Sequence, residues 1–186
     1  DIEIMSRKLD YVVSGTSYMR FSNPGIAKDE TNSQIINMLI DKLVTDVHSH
    51  KFSMLYNGHT ESSFGDRFTA YKDHVHEIHA DSGGLQIVTQ GMVITDELKD
   101  KVYENQAQWA DVGMCFDEIP VVLTGDRSDR NDTKARFFDF ENYEELARKT
   151  GRNVKRQLEI FDKADSKCKP YIILQCNCVD TYLRWY

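Results

Sequence analysis

HADSGGLQ at residues 79–86 is the most informative stretch of this 186-residue chain. It ends the run Val75–Ala80, which predicts a β-strand that delivers Asp81. A second stretch, MCFDEIP at residues 114–120, delivers Asp117 behind another largely apolar run. Because the carboxyl ends of parallel strands line one edge of a sheet or one face of a barrel, the two aspartates are expected to share a pocket.

A helix is predicted between the two stretches, over residues 96–109. Its apolar residues recur at helical spacing, at Leu98, Val102 and Trp109. Thr95 can cap the first turn, where the helix dipole also favours the negative charges of Asp96 and Glu97. The helix leads into a strand predicted over Val112–Phe116, so the unit is strand, loop, helix and strand.

The same alternation continues towards the end of the chain. A long helix is predicted from Glu141 to about Ala164, with one apolar side formed by Leu146, Val154, Leu158 and Phe161. Tyr171–Leu174 predicts a buried strand followed by Gln175, and a further helix is predicted from Val179. The highly charged residues 124–133, which are rich in turn formers, predict a mobile surface insertion.

Upstream residues extend the pattern. A helix is predicted over residues 32–48, strands over Tyr11–Val13 and Phe52–Tyr56, and a loop over the pocket mouth at residues 59–73. Strand and helix thus alternate about four times, which predicts a parallel α/β fold of the (β/α)8 TIM-barrel type. A complete barrel has about 250 residues. We therefore expect residues 1–186 to form one domain that covers roughly the first half of a barrel.

The composition, with 40% hydrophobic residues, fits a globular domain. No apolar run approaches the roughly 18 residues of a membrane span, so a cytoplasmic location without membrane contact is expected. The net charge of −7 argues against a wholly basic surface that coats nucleic acid, but it is compatible with a local basic patch. The best candidate patch, which is also interpretable as a solvated helix face, is Arg148, Lys149, Arg152, Lys155 and Arg156.

No metal site is predicted within the chain. The pair Cys176 and Cys178 lacks the second pair of ligands that would complete a zinc set. Cys115 and Cys176 lie in apolar, strand-like runs and are expected to be buried as small hydrophobic side chains. The six histidines, all between residues 48 and 79, are interpreted as solvated or hydrogen-bonded rather than as metal ligands.

Two carboxylates and a carboxamide at one rim suit a planar heterocycle with several hydrogen-bond donors. A carboxylate accepts from ring N–H and exocyclic NH₂ groups, and Gln175 can both donate and accept. The two glycines after Asp81 allow a flat ligand to approach the backbone closely. A carboxylate can also act as a general base or as a nucleophile at a sugar carbon. These residue types alone leave a glycosidase, an aldolase and a base-exchange enzyme open.

The two stretches resemble motifs of the tRNA-guanine transglycosylase (queuine tRNA-ribosyltransferase) superfamily. DSGGLQ at residues 81–86 resembles the DSGGFQ signature of that family, and Phe116–Glu118 resembles its FDEC element. Residues 148–163 are similar to the helix that follows in the family, and Ile173–Gln175 resembles its IVQGG strand. The four matches occur in the family's order.

The resemblance implies a TIM-barrel pentosyltransferase that exchanges guanine in nucleic acid for a 7-deazaguanine through a ribosyl- or deoxyribosyl-enzyme intermediate. The target nucleotide would be flipped out of its stack, as chemistry on a base requires. Asp81 would be the catalytic general base, and Asp117 and Gln175 would bind the hydrogen-bonding edge of the base. The implied substrate-binding residues are Asp81, Ser82, Gly83, Gly84, Leu85, Asp117 and Gln175.

The chain also departs from the family pattern. Leu85 replaces the Phe of the first signature, Ile119 replaces the Cys of the second, and Cys176 and Asn177 replace the two glycines after the glutamine. The nucleophilic aspartate and the zinc site of the family come after the glutamine strand, so neither is assigned here and no cofactor is expected within the chain. The poor match of the N-terminal third and the polar residues 124–140 favour a DNA-modifying member over a tRNA-modifying one.

Two alternatives remain open on the sequence. The family pairs active with inactive subunits, so the chain could be a non-catalytic partner in a dimer that lacks the nucleophile. It could instead be an unrelated TIM-barrel carboxylate enzyme, which would bind sugar phosphates and not purines. The expected partners are nucleic acid, a 7-deazaguanine base and a possible second subunit, since half a barrel exposes sheet edges and apolar faces.

Overall fold

In the computed structural model, the described residues are 12–14, 53–59, 75–125 and 134–185. The helix predicted over residues 32–48, most of the loop predicted over residues 59–73 and the centre of the insertion predicted over residues 124–133 lie outside them. In chain order the elements are β1 (Val12–Val13), β2 (Ser53–Asn57), β3 (Ile78–Asp81), α1 (Gly84–Thr89), α2 (Asp96–Trp109), β4 (Val112–Met114), β5 (Val121–Thr124), β6 (Lys134–Phe138), α3 (Tyr143–Lys163), β7 (Lys169–Tyr171) and α4 (Val179–Trp185).

The described residues group into two compact units. The first contains residues 12–14, 53–56 and 75–78, and the second contains residues 57–59, 79–125 and 134–185. In the first unit β1 pairs in parallel with β2, with Val12 opposite Ser53. The backbone N–H of Met54 donates to the carbonyl of Glu77 at 3.0 Å, which extends the hydrogen bonding beyond this strand pair.

The second unit is built on a parallel sheet. In this unit β3 pairs with β4, with His79 opposite Val112, and β4 pairs with β7, with Val112 opposite Lys169. Helices α2 and α3 pack on each other, α2 also on β4 and α3 also on β7. The prediction of a mixed α/β fold with parallel strands joined through helices is therefore confirmed. The buried apolar side chains of this unit include Ile87, Val102, Tyr103, Val112, Phe116 and Phe161.

The predicted helix over residues 96–109 is confirmed as α2, together with its cap. The backbone of Thr95 is extended (φ −92°, ψ 164°), and its hydroxyl accepts a hydrogen bond from the Leu98 N–H at 3.3 Å. This contact satisfies one of the N–H groups that a helix start leaves without a partner. At the other end the N–H of Ala110 donates to the Gln106 carbonyl at 2.9 Å, where the helix stops.

The long helix predicted from Glu141 to about Ala164 is observed as α3, but the apolar side given by its sequence spacing is not the face that the helix buries. Phe161 is buried as expected, whereas the side chain of Leu158 is 41% exposed. The residues that α3 buries are Tyr143, Thr150, Asn153, Gln157 and Phe161. The helix turns a largely polar stripe inwards because those side chains hydrogen-bond to β4 and to the loop behind it.

The strand predicted as buried over Tyr171–Leu174 is also corrected. Strand β7 comprises Lys169–Tyr171, and all three residues are exposed. Ile172, which follows it, is 56% exposed. An apolar run predicts burial only when neighbouring elements cover it, and in the described part of the chain β7 pairs with β4 along one edge only.

The predicted surface insertion is flanked by a β-hairpin. Strands β5 and β6 pair antiparallel, with Val121 opposite Phe138 and a register irregularity between Val122 and Leu123. Residues 126–133 between them lie outside the described residues. These two short strands were not predicted, because neither VVLT nor KARFF has a regular alternation of apolar and polar residues.

None of the helices in the described ranges has the length and apolar character that a passage through a lipid bilayer requires.

Candidate active site

The ends of three parallel strands carry the residues of the candidate site. Asp81 is the last residue of β3, Asp117 lies just beyond β4, and Gln175 lies just beyond β7. The side-chain amide of Gln175 donates to Asp117 Oδ2 at 2.5 Å. Asp81 lies close enough to Asp117 for its negative charge to raise the Asp117 pKa. The structure therefore brings together the two carboxylates and the carboxamide that the sequence singled out.

Burial shifts the pKa of both carboxylates in the same direction. It raises the pKa of Asp81 above its usual range, while hydrogen bonds from the backbone N–H groups of Gly83 and Ser82 oppose the rise. Burial likewise raises the pKa of Asp117, opposed by the hydrogen bond from Gln175 and reinforced by the negative charges of Asp81 and Glu118. A carboxylate with a raised pKa holds a proton more readily near neutral pH, which suits general acid–base work.

The turn after Asp81 depends on one of its two glycines. Gly83 has φ +74°, and a Cβ atom at this position would lie 2.7 Å from Oδ1 of Asn57. That oxygen also accepts a hydrogen bond from the His59 N–H at 3.0 Å, so the Asn57 side chain is held in place. At Gly84, by contrast, a Cβ atom would make ordinary contacts of 3.5 Å. Gly83 therefore sets the turn conformation, whereas Gly84 has room for a Cβ atom.

Helix α1 starts directly from this turn and was not predicted. The Ser82 hydroxyl is buried and accepts a hydrogen bond from the Gly84 N–H at 3.3 Å, at the first residue of the helix. The backbone of Leu85 lies in the first turn of α1, but its side chain falls outside the described residues. The signature thus forms a strand end, a tight turn and a helix start, a geometry that the turn residues Ser82 and Gly83 could have suggested.

The loop that carries Asp117 is held by side chains of both long helices. The Phe116 N–H donates to the Tyr103 hydroxyl of α2 at 3.1 Å, and the Asn153 amide of α3 donates to the Phe116 carbonyl at 2.8 Å. On the other side of Asp117, the Glu118 N–H donates to the Thr150 hydroxyl at 2.9 Å. The backbone on both sides of Asp117 is therefore anchored, which limits the positions open to its carboxylate.

A second polar contact set ties the helices to the strands beneath this loop. The Gln106 amide donates to the carbonyls of Met114 at 2.8 Å and Ala80 at 3.3 Å. The Gln157 amide donates to Gln106 Oε1 at 2.8 Å and to the Gly113 carbonyl at 3.0 Å. Gly113 is required here, since a Cβ atom would lie 2.8 Å from Gln106 Oε1. These side chains align the ends of β3 and β4, and with them both aspartates.

Sequence reasoning missed these positioning residues. Among the polar side chains of α3 only the basic ones were singled out, although Thr150, Asn153 and Gln157 follow each other at helical spacing. That spacing marks a single stripe, and the stripe continues to the buried Phe161. A polar stripe that is continuous with an aromatic residue could have indicated from the sequence that these polar side chains are buried.

A groove of about 850 Å³ lies beside the Asp117 loop. It is bounded by residues 91–94, the start of α2 and one face of α3, and Glu118 contributes to its wall. The five cations that line it are Lys99, Lys149, Lys155, Arg152 and Arg156, and the three carboxylates are Asp96, Glu118 and Glu159. The predicted basic segment therefore faces this groove, apart from Arg148, which is not part of the lining.

The four cysteines are free thiols. Cys115 is buried as predicted, and burial raises its pKa to about 11. Cys176 is exposed, so its predicted burial is wrong, because β7 ends before the apolar run that precedes it. Within the described ranges, no three His, Cys, Asp or Glu side chains converge as a metal site would require.

Comparison of the chain with protein-family models, with curated proteins and with solved structures finds no match. The observations that bear on function are therefore the geometry of the site and the resemblance of its two signatures. The geometry offers two carboxylates of raised pKa and a carboxamide, all at the carboxyl edge of one parallel sheet. The carboxylates can accept hydrogen bonds from the N–H groups of a flat ligand, and one of them can accept a proton from that ligand.

Proposed function

We propose that the chain is part of a pentosyltransferase that exchanges guanine in nucleic acid for a 7-deazaguanine base. The observation that carries the proposal is the hydrogen bond of Gln175 to Asp117 with Asp81 alongside. These three residues come from separate signatures whose order resembles that of the guanine transglycosylases. We further propose that the parallel sheet belongs to a TIM barrel, in which the carboxyl ends of the strands carry the active site.

Recognition of the base follows from the hydrogen-bonding capacity of the site. Guanine and 7-deazaguanine present a ring N–H and an exocyclic NH₂ on one edge, and an ionised carboxylate such as Asp117 accepts from both. The contact with Asp117 uses one amide hydrogen of Gln175. A carboxamide has a second N–H and a carbonyl oxygen, which suit the neighbouring polar atoms of the base.

Asp81 is the proposed general base. In base exchange the bond between the pentose C1′ and N9 of guanine breaks, and guanine leaves with the electron pair and takes up a proton from solvent. The incoming base then forms the equivalent bond to C1′ and loses its ring N–H proton, for which the Asp81 carboxylate is the acceptor. The raised pKa of Asp81 favours this transfer, because a general base works best when its pKa lies near the working pH. The nucleophile that would hold the pentose between the two steps is assigned to no residue of this chain.

Titration calorimetry with 7-deazaguanine tests the base site. We expect saturable binding to the unmodified chain and an affinity about 10- to 100-fold lower in Asp117→Asn, which replaces an acceptor with an amide that also donates. Asp162→Asn is the matched control because Asp162 is an exposed residue of α3. Equal affinity in Asp117→Asn, or a preference for sugar phosphates over purines, would overturn the proposal.

An exchange assay separates the enzyme from a non-catalytic partner subunit. Labelled guanine is offered to the whole protein of which the chain is proposed to be part, with guanine-containing DNA or with tRNA, and incorporation into each polymer is measured. DNA is the polymer that we expect to be labelled, in agreement with the DNA-type departures of the sequence. Base binding without incorporation into either polymer would identify the chain as a non-catalytic subunit of such an enzyme.

A further inference from the structure

The groove beside the Asp117 loop has a cationic wall with regular spacing. Lys149, Arg152, Arg156 and Glu159 lie on α3 at intervals of three, four and three residues, so they share one face of the helix. Lys155 also lines the groove from this helix. The cations extend over about 10 Å of the helix axis, at 1.5 Å per residue. This length matches a chain with several anionic groups better than a single small anion.

The cations differ in how firmly they are held. Arg156 donates to both carboxylate oxygens of Asp100, at 2.5 and 2.7 Å, and to Asp96 at 3.0 Å. The Lys99 ammonium is largely buried and donates to Asn153 Oδ1 at 2.7 Å. Lys149 and Lys155 are exposed, and the Arg152 side chain, which is 62% exposed, donates to Glu145 Oε1 at 2.9 Å in a solvent-exposed ion pair. Arg156 and Lys99 are thus held by contacts within the protein. Lys149, Lys155 and Arg152 are exposed enough to turn towards a ligand.

Another part of the groove lining is apolar. Met92 and Val93 are 44% and 78% exposed, an uncommon state for such side chains, and Ile94 lies next to them. A ligand that matches both parts of the lining carries anionic groups together with apolar groups. Nucleic acid strands have this character, since phosphates alternate with sugars and bases, whereas an acidic peptide lacks the flat apolar groups.

We propose that this groove binds the phosphodiester backbone of a nucleic acid strand, with Lys149, Arg152 and Lys155 on the phosphates and Met92 and Val93 against a sugar or base. The inference rests on the proposed function, to which it adds a binding surface. Glu118 lines the groove and directly follows Asp117 in the chain, so a strand bound there lies next to the candidate active site.

Fluorescence anisotropy with a labelled thymidine homopolymer tests this surface without involving the base pocket, since the oligonucleotide contains no guanine. We expect the double variant Lys149→Glu with Lys155→Glu to bind at least about 10-fold more weakly than the unmodified chain at low salt. The slope of log K against log salt is expected to become shallower by about 0.7 for each lost phosphate contact. Lys149→Gln with Lys155→Gln should show a smaller loss in the same direction.

The matched control is Lys163→Glu with Lys167→Glu, which makes the same change in net charge at exposed positions outside the groove lining. An affinity within about twofold of the unmodified chain is expected for this control, because charge outside the groove makes no phosphate contact. Equal losses in the two double variants, or absence of oligonucleotide binding, would overturn the proposal. Equally strong competition by polyglutamate would assign the groove to acidic peptides instead.

The two proposals fail in distinguishable ways. If 7-deazaguanine binds through Asp117 but the lysine changes leave oligonucleotide binding intact, only the groove assignment is overturned. If the lysine changes abolish oligonucleotide binding but no 7-deazaguanine binds, the groove stands and base exchange does not.

Discussion

Gly83 shows how one backbone dihedral sets the geometry of the candidate site. Its positive φ lies in a region that side chains with a Cβ atom rarely adopt, and a methyl group there would meet the Asn57 amide. The same turn directs the N–H groups of Ser82 and Gly83 towards the Asp81 carboxylate. A change at Gly83 therefore alters both the stability of the chain and the surroundings of the proposed general base.

Gly83→Ala is expected to lower the free energy of unfolding by about 1–3 kcal/mol, because backbone strain and the contact with Asn57 act together. Gly151→Ala is the matched control, since Gly151 is an exposed residue of α3 with nothing within 4 Å of an added Cβ atom. It should raise the free energy of unfolding by about 0.5–1 kcal/mol. Urea denaturation measures both, and two changes of the same sign would contradict the assigned geometry.

The Asp117 carboxylate makes the stability of the chain depend on pH. The pKa of Asp117 is higher in the folded chain than in the unfolded chain. Its contribution to the free energy of unfolding is therefore fully present below the unfolded-state pKa and is lost as the pH rises through the folded-state pKa. Asp117→Asn should therefore be more stable than the unmodified chain at pH 7, and the difference should shrink as the pH falls towards 4. Thermal unfolding between pH 4 and 8 measures this. A difference that grows on acidification would show that the pKa is lowered instead.

At the scale of the elements, α3 is the least conventional part of the fold. It uses Thr150, Asn153 and Gln157 where helices normally bury apolar side chains, and each of them bonds to β4 or to the loop behind it. Buried polar groups are stable only when such partners exist, so the helix and the loop depend on each other. The Asp117 loop is thereby fixed by helix packing as well as by its own sequence.

Gln106→Leu tests this dependence. The substitution removes the donor to the Met114 and Ala80 carbonyls and the acceptor for Gln157, all in the buried interior. We expect a loss of about 2–3 kcal/mol in the free energy of unfolding, because buried partners are left unsatisfied. Gln108→Leu makes the same chemical change two residues further along α2, at an exposed position, and should have an effect within about 0.5 kcal/mol. Equal effects of the two variants would remove the structural role assigned to Gln106.

The elements also show what sequence reasoning could reach. Helix α2 and the extent of α3 were predictable because capping residues and helical spacing are local signals. Strands β3 and β4 were predictable because a short apolar or mixed run ended at an aspartate in each case. The buried face of α3 and the exposure of Tyr171–Ile172 were not predictable, since both depend on which neighbours cover them. The closeness of Asp81 and Asp117 followed from a rule about parallel strands, whereas the side chains that hold their loops required coordinates.

At the scale of the whole molecule, net charge and exposed apolar surface have opposite effects on association. The charge of −7 favours separation of the chains. On α4, however, Val179 and Leu183 are 71% and 65% exposed and lie one helical turn apart, with Tyr182 43% exposed beside them. An apolar group of this kind favours contact with another protein surface. The balance between the two effects depends on pH and on salt.

We therefore expect reversible self-association that strengthens with added salt and as the pH falls from 8 towards the isoelectric point near 5.4, because both changes weaken charge repulsion. Val179→Lys with Leu183→Lys should reduce the association, as measured by sedimentation velocity over a range of concentrations. Gln90→Lys with Gln108→Lys adds the same charge at exposed polar positions and serves as the control. Both lysine pairs lower the net negative charge from −7 to −5, which by itself weakens repulsion, so the control should associate at least as strongly as the unmodified chain. If both pairs reduced association equally, α4 would not be the contact surface. A larger effect of the α4 pair would make this helix the first place to look for contacts with a possible second subunit.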